Sequence, residues 1–340
     1  MRRALALAAA VRGETSPNPW VGCVVVAADG TVAGEGATAP PGGPHAEASA
    51  LLAAGTGADG GTAYVILEPC PHHGRTPPCA EALVQAGVRR VVAALVDPDE
   101  RVSGRGLAML RAAGVEVTLG VLADEAARLL EPYLSHRRTG RPFVVLKLAA
   151  TLDGRLAAPD RSSRWITGPE ARADVQRLRA ESDAVLVGAG TVRSDDPLLT
   201  VRPAAGEPGG PLRQPLRVVL GRAPAGAAVQ PALELSGDPR AVLDELGRRG
   251  VLQLLVEGGA TVAGGFHRLG LVDRYVLYVA PAFLGGDDGV PMFAGSGAAS
   301  MSGVWRGRLE SVERLGDDLK LVLVPETQAD GGISASINPS

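Results

Sequence analysis

The chain has 340 residues, enough for two domains of about 150 residues each. Its 46% hydrophobic and 21% charged residues are those of a folded globular protein. A net charge of −3 and only 3% aromatics argue against a nucleic-acid coat or a base-stacking platform, and no run approaches the ~18 apolar residues of a membrane span.

Arg2-Arg3 followed by residues 4–11 has the outline of a short signal peptide. Arg12 ends the apolar stretch and no clean cleavage site follows, so an N-terminal amphipathic helix is expected. Three cysteines are too few for a disulfide framework and point to the cytoplasm, with thiols that are free or bind metal. Residues 21–26 predict a strand, Asp29-Gly30 a hairpin turn, and residues 31–35 its return. A helix over 46–54, a strand over 62–67 and a helix over 81–86 closed by Gly87 follow. Next come a strand at 90–96, a helix at 107–113 and a strand at 115–118. A hairpin followed by repeated α-β steps predicts a mixed sheet covered by helices.

Residues 123–138 read as one long helix interrupted by Pro132, and Thr139-Gly140-Arg141-Pro142 as a breaker. The domain boundary is placed there, giving units 1–140 and 141–325. In the second unit, strands are expected at 143–149, 184–188, 216–220, 253–256, 275–279 and 319–324. Helices are expected at 171–179, 241–249 and 261–269, with a Pro/Gly-rich loop over 203–215. Residues 326–340 read as a polar, disordered tail.

The sharpest signal is His45-Ala46-Glu47, then Glu68-Pro69-Cys70, then Cys79. One imidazole and two thiolates make three ligands for Zn²⁺ and leave a fourth position for water, whose pKa the metal lowers towards ~7. Glu47, two residues past the histidine, suits proton transfer and is not needed as a ligand. His-x-Glu with Pro-Cys-x-x-Cys marks zinc deaminases; here eight residues separate the cysteines instead of two. A closed structural site is the alternative, with His72 or His73 as fourth ligand. Cys23, in a Val-rich strand, reads as a small buried hydrophobe. His136 and His267 read as surface or packing residues.

A second signal is the strand at 253–256 running into Glu257-Gly258-Gly259-Ala260-Thr261 and a helix. This geometry binds phosphate through backbone N–H groups, although taken alone a tight turn between strand and helix is the default explanation. Two polar loops accompany it. One is Leu152-Asp153-Gly154-Arg155 with Ser163-Arg164-Trp165-Ile166-Thr167. The other runs from Gly188-Ala189-Gly190-Thr191 to Asp195-Asp196-Pro197 and Arg202. Loops after the carboxyl ends of strands are where α/β sheets bind ligands.

These residues resemble a known family. Pro17-Asn18-Pro19-Trp20-Val21-Gly22-Cys23-Val24, His45-Ala46-Glu47 and the stretch from Glu68-Pro69-Cys70 through Pro71-His72-His73-Gly74-Arg75-Thr76-Pro77-Pro78 to Cys79 look like the N-terminal half of the bifunctional riboflavin-biosynthesis deaminase–reductases. Lys147-Leu148, Leu152-Asp153-Gly154-Arg155, Arg164-Trp165-Ile166-Thr167, Asp195-Asp196-Pro197 and Glu257-Gly258-Gly259 look like the reductase half. The resemblance covers roughly residues 1–325. It implies an α/β protein with a cytidine-deaminase-like three-layer α-β-α domain and a dihydrofolate-reductase-like α/β domain. The implied activities are deamination of 2,5-diamino-6-ribosylamino-4(3H)-pyrimidinone 5′-phosphate and NADPH-dependent reduction of its ribosyl group, giving 5-amino-6-(5-phosphoribitylamino)uracil.

Carried over by position, His45, Cys70 and Cys79 bind zinc, Glu47 shuttles protons, and Asn18 and Arg75 contact the pyrimidine nucleotide. NADPH is lined by Ala149, Trp165, Thr191, Asp195 and the run Gly259, Ala260, Thr261, Val262, Ala263, Gly264 and Gly265. Ser163, Arg179, Leu199, Arg202 and Glu257 hold the reductase substrate, with Lys147 nearby. The chain departs from the family at Ala37-Thr38, where many members have Tyr-His. Residues 222–244 are short for the family and are expected to lack a strand or hairpin. Arg222 replaces a common serine and is expected to read the 2′-phosphate of NADPH. The expected partner is a small-molecule pyrimidine nucleotide, with neither nucleic acid nor membrane, in a homo-oligomer. Two other readings are a nucleoside or nucleic-acid deaminase with an assembly domain, and a non-catalytic zinc protein. Intact Glu47 beside His45 counts against the latter.

Overall fold

The structure, a computed structural model, describes residues 1–72, 77–202 and 213–326. The expected tail beyond residue 326 and most of the expected Pro/Gly-rich loop lie outside the described residues.

The first sheet follows α1 (Arg2–Ala10). It begins with the hairpin of β1 (Gly22–Val26) and β2 (Val32–Ala37), and α2 (Ala46–Ala54) then leads into β3 (Thr62–Leu67). The chain continues through α3 (Cys79–Gln85), β4 (Arg90–Leu95), α4 (Arg105–Ala112) and β5 (Glu116–Leu119). The strand order is β2-β1-β3-β4-β5, antiparallel from β2 to β3 and parallel from β3 to β5. The parallel strands β3 and β4 are almost wholly buried, which is why they read as continuous apolar runs. Helices α2, α3 and α4 pack side by side, while α1 packs with α5 (Ala123–Leu129), so helices cover both faces. Two glycines on β2 decide how close α2 can lie. A Cβ on Gly34 would stand 2.3 Å from the Ala50 carbonyl oxygen, and one on Gly36 2.4 Å from that of Ala46. Their absence of side chain seats the start of α2 directly on the sheet.

The expected single helix over 123–138 is two. α5 stops at Leu129 and α6 (Glu131–Thr139) begins two residues later, with Pro132 in its first turn. Proline has no N–H to donate and is accommodated where a helix starts, so the break falls before it.

The second sheet is built from β6 (Phe143–Thr151), β7 (Arg155–Ala157), α7 (Pro169–Ala180), β8 (Ala184–Gly188), α8 (Ala189–Asp195) and β9 (Leu216–Leu220). It continues with β10 (Leu233–Leu235), α9 (Pro239–Arg248), β11 (Gln253–Val256), α10 (Ala260–Arg268) and β12 (Arg274–Ala280), then β13 (Val290–Pro291), β14 (Gly307–Leu315) and β15 (Asp318–Pro325). Eight strands run in the order β10-β9-β8-β11-β6-β12-β15-β14, and β7 pairs separately with β13. Strands β10 to β12 are parallel and the last two antiparallel. Apolar clusters pack around this sheet, one around Leu146, Leu186 and Phe266, the other around Val145, Val187 and Tyr278.

Residues 188–196 are not a loop. The chain turns from β8 straight into α8, and Asp196 closes that helix in a left-handed conformation. The segment 222–244 does contain a strand, β10, which runs parallel to β9 at the sheet edge. β10 is only three residues long, too short for an apolar pattern to reveal it. β14 also escapes the sequence because it is an outer strand with mostly exposed or half-exposed side chains.

Candidate active sites

In the first sheet, the connections from β2 to α2 and from β3 to α3 bring the expected metal ligands together. His45 is the residue that caps the N-terminus of α2, in extended conformation, and Glu47 lies in that helix's first turn. Cys70 follows β3, and Cys79 opens α3. His45 Nδ1 is 3.7 Å from Cys70 Sγ and 3.4 Å from Cys79 Sγ, and all three donor atoms lie within 4.8 Å of one another. Tetrahedral zinc with bonds of about 2.0–2.3 Å needs ligand atoms roughly 3.5–3.8 Å apart, so this donor set fits one zinc ion. His72 is not among the converging residues, and His73 lies outside the described residues.

The electrostatics suit a cation. The Cys70 thiol is pulled down to about 4 by its hydrogen bond with Cys79, against the effect of burial. Cys79 is pushed up by that same bond and by burial. The Cys79 N–H also donates to Cys70 Sγ at 3.4 Å. Glu47 is 4% exposed, and burial, followed by the charge on Cys70, pushes its carboxyl up to about 7. A hydrogen bond with Cys79 keeps it beside the ligands. Thr38, standing where the family pattern has histidine, is buried, and its Oγ1 accepts from the Val21 N–H at 3.0 Å. Asn18 sits half-buried in the turn before β1, bonded to Thr15 in both directions. Arg75 lies outside the described residues.

In the second sheet, a cavity of about 980 Å³ opens at the carboxyl ends of β8, β9 and β11. Lys147, Ser163, Arg179, Arg202 and Glu257, expected to meet substrate, line it. So do Ala149, Trp165, Thr191 and Asp195, together with the turn from Gly259 to Val262, all expected to meet the dinucleotide. Other expected residues do not. Ala263 and Leu199 are buried in the apolar clusters, Gly264 faces the Ala294 carbonyl, and Gly265 lies further along α10. Only the first turn of α10 meets the cavity, because a helix rotates later residues away. Arg222 is exposed after β9 and is outside the lining, although Leu220 belongs to it.

The polar centre of the cavity is Glu257. Arg179 donates to both its carboxylate oxygens, Nε at 2.6 Å and Nη2 at 3.1 Å, and Lys147 Nζ lies 3.8 Å away. Burial alone raises the Glu257 carboxyl, but Arg179 and then Lys147 outweigh it and hold it below the usual range. Burial lowers the Lys147 ammonium. Beside this cluster, Gly259 caps α10, and the Gly259 N–H donates to Thr191 Oγ1 at 3.2 Å. A Cβ on Gly258 would come within 2.6 Å of Val262 Cβ, so only glycine lets this turn fold against the helix. The first-turn N–H groups of α10 have no acceptor within the helix, which suits the phosphates of a dinucleotide.

Several lining residues escaped the sequence reading. Arg172, Val175 and Gln176 join the expected Arg179 at i, i+3, i+4 and i+7 on α7, and that spacing is the signal for one face turned to the cavity. Arg172 stacks 4.6 Å over Trp165, and Gln176 Oε1 accepts from the Arg202 N–H at 3.0 Å. Arg193 on α8 and residues 288–291 also line the cavity. Asp153 and Arg155 brace the segment before that stretch: Asp153 accepts from the Leu284 and Gly285 N–H groups, and Arg155 donates to the Gly286 carbonyl. His136 and His267 pack structurally, against the Gly247 carbonyl and the Tyr275 hydroxyl.

Comparison with known proteins separates the same two halves. Residues 1–95 match the cytidine and deoxycytidylate deaminase zinc-binding region, and residues 142–321 match the RibD C-terminal domain. Riboflavin biosynthesis protein RibD of Mycobacterium tuberculosis (strain H37Rv) is 44% identical over 322 residues, covering 92% of this chain and 93% of that protein.

The chain belongs to the RibD family.

It is a bifunctional enzyme of riboflavin biosynthesis, a deaminase joined to a reductase. The RibD protein of Escherichia coli (strain K12) is also 44% identical, over 84% of this chain and 88% of its own length. Among solved structures, Acinetobacter baumannii RibD superposes with a TM-score of 0.89 at 40% identity, covering 95% of this chain and 97% of that one. The diaminohydroxyphosphoribosylaminopyrimidine deaminase/5-amino-6-(5-phosphoribosylamino)uracil reductase of Thermotoga maritima gives 0.85 at 34% identity, with 96% and 97% covered. No helix among the described residues is long and apolar enough to cross a bilayer.

Proposed function

We propose that residues 1–140 hydrolyse the 2-amino group of 2,5-diamino-6-ribosylamino-4(3H)-pyrimidinone 5′-phosphate, and that residues 141–325 reduce the ribosyl group with NADPH to give 5-amino-6-(5-phosphoribitylamino)uracil. The observation that carries the proposal is buried Glu47 beside the converging His45, Cys70 and Cys79. The names of the Thermotoga maritima protein's two activities support the substrate class.

His45, Cys70 and Cys79 would hold zinc, which when bound supplies a water activated at neutral pH. Glu47 takes a proton from the attacking water and passes it to the departing amino nitrogen, so that water and the amine become a carbonyl and ammonia. In the second domain, Gly259 and the first turn of α10 would hold the NADPH phosphates, and the cofactor supplies a hydride. Lys147, kept in place by Glu257, bears the proton for the sugar oxygen released as the ring opens. Ser163 and Arg202, with Arg179, hold the substrate, and Trp165, Thr191 and Asp195 hold the dinucleotide.

Only three cysteines, two of them read as zinc ligands, support a cytoplasmic setting. Exposed Leu309 and Val312 on outer strand β14 support a homo-oligomer, which a measurement of particle mass in solution would test. The test of function is to incubate the protein, loaded with one zinc per chain, with the diaminopyrimidine. The deaminated product is expected without NADPH, and the ribitylamino product only with it. Product masses that stay unchanged under both conditions overturn the proposal.

Cofactor choice gives a second expected result. A cation gripping the 2′-phosphate contributes about 1.5–3 kcal/mol, so its loss raises the NADPH KM about tenfold or more and leaves the NADH KM unchanged. Arg222→Ala is expected to show this pattern. Arg193→Ala tests the competing candidate, because Arg193 lines the cavity and Arg222 lies outside that lining. An effect confined to Arg193→Ala transfers the role to that residue.

A further inference from the structure

Glu68 is a buried carboxylate, 3% exposed, and among the described residues no cation pairs with it. Its charge is met by backbone N–H groups. Oε2 accepts from Gly104 at 2.8 Å and from Asp97 at 3.3 Å, and Oε1 accepts from Gly106 at 2.9 Å and Leu107 at 3.2 Å. Gly104 caps α4, while Gly106 and Leu107 lie in its first turn. The carboxylate therefore caps this helix from another part of the chain, where the positive end of the helix dipole favours it.

The chain next to Glu68 is equally constrained. A Cβ on Gly106 would stand 1.8 Å from the Pro69 carbonyl oxygen, so α4 is pressed against the peptide that leads into Cys70. On the other side, the Cys70 carbonyl accepts from the Ala80 N–H at 3.1 Å and its sulfur from the Cys79 N–H at 3.4 Å. Residues 68–70 are thus clamped between the first turns of α3 and α4, which pack together.

We infer that Glu68 is a positioning residue for the metal centre, fixing the backbone that aims Cys70 Sγ at the point His45 and Cys79 share. The inference rests on the reading of His45, Cys70 and Cys79 as zinc ligands. All four partners of Glu68 are donors, so the side chain must accept at both oxygens. Glutamine has the same shape but turns an NH₂ group towards two of those donors, and it cannot replace the carboxylate.

The test is Glu68→Gln in the full chain, read by zinc competition and by the visible absorption of the cobalt-substituted protein. Reductase activity reports folding of the other half. Zinc affinity is expected to fall tenfold or more, with a weakened or shifted cobalt–thiolate band and reductase activity retained. A carboxylate that only stabilised the fold would lower the melting temperature and leave the cobalt spectrum of the folded protein unchanged, and that result overturns the inference. If the glutamine variant does not fold, Glu68→Asp replaces it. Aspartate keeps the charge but withdraws it by one methylene, so parental affinity and spectrum in that variant also overturn the inference. Cys70→Ser tests the underlying reading separately: parental zinc affinity there would remove the metal centre itself, whatever Glu68 does.

Discussion

Glu47→Gln is expected to keep one zinc per chain and full reductase activity, and to deaminate about 10³–10⁴-fold more slowly than the parent. Glutamine matches glutamate in volume but neither takes up nor releases a proton in the required range. The parent carboxyl is suited to both, because burial holds it near 7 beside the sulfur ligands. It can accept a proton from water and still give it up to the departing nitrogen. Removing a buried acid for a neutral isostere relieves desolvation, so the melting temperature is expected to stay level or rise. The measurement is deamination followed by product mass, with reduction assayed on separately supplied deaminated substrate. Deamination within a few fold of the parental rate would show that another group carries the proton.

Glu257→Ala is expected to damage the other half as severely. It leaves Lys147 and Arg179 facing a shared space without the carboxylate that separates their charges, all three groups being less than one-fifth exposed. Removing one partner of such a buried cluster costs about 3–5 kcal/mol, so a lower melting temperature is expected. Displacement of Lys147 and Arg179 is expected to reduce reductase turnover about 10²-fold, with deamination unchanged. The pH dependence has a definite sign. Arg179 and Lys147 hold the folded carboxyl below its unfolded value, so its stabilising contribution is present above the usual glutamate range. It is lost as the pH falls through the lower, folded value. The stability gap between the parent and Glu257→Gln, measured by denaturant unfolding, is therefore expected to narrow as the solution is acidified. A gap that stays constant or widens contradicts the role assigned to this cluster.

Much of the fold was legible because its elements carry local signals. β3 and β8 are short apolar runs bounded by breakers, and the structure ends them within a residue of expectation. α2 covers the expected residues directly after His45, whereas α9 begins two residues before the expected 241, where Asp238 accepts from the Arg240 N–H and caps the helix. Elements without such signals were missed. β10 and β13 are three and two residues long and exist only because a neighbouring strand offers them hydrogen bonds. α8 follows β8 without a gap, so its Gly-Ala-Gly-Thr opening reads as a loop. The same limit applied to the second site. The first turn of α10 was recognisable as a glycine turn, but the direction of each later residue depends on helical rotation, which moved Ala263, Gly264 and Gly265 out of the cavity.

The sequence by itself determined the chemistry of the first site. One imidazole, two thiols and a carboxylate two residues beyond the histidine are a donor set whose meaning lies in residue type and order, and their helix-start and strand-end positions follow from local signals. Only the tertiary structure decided how those groups are tuned and held. Glu47 is raised because packing removes it from water, and Gly34 and Gly36 permit that packing from a strand ten or more residues away. Glu68 meets its four donors 29 to 39 residues along the chain, and Arg179 reaches Glu257 across 78. Desolvation and pairing of this kind depend on which atoms become neighbours when the sheets and helices close, and no local pattern of residues specifies that.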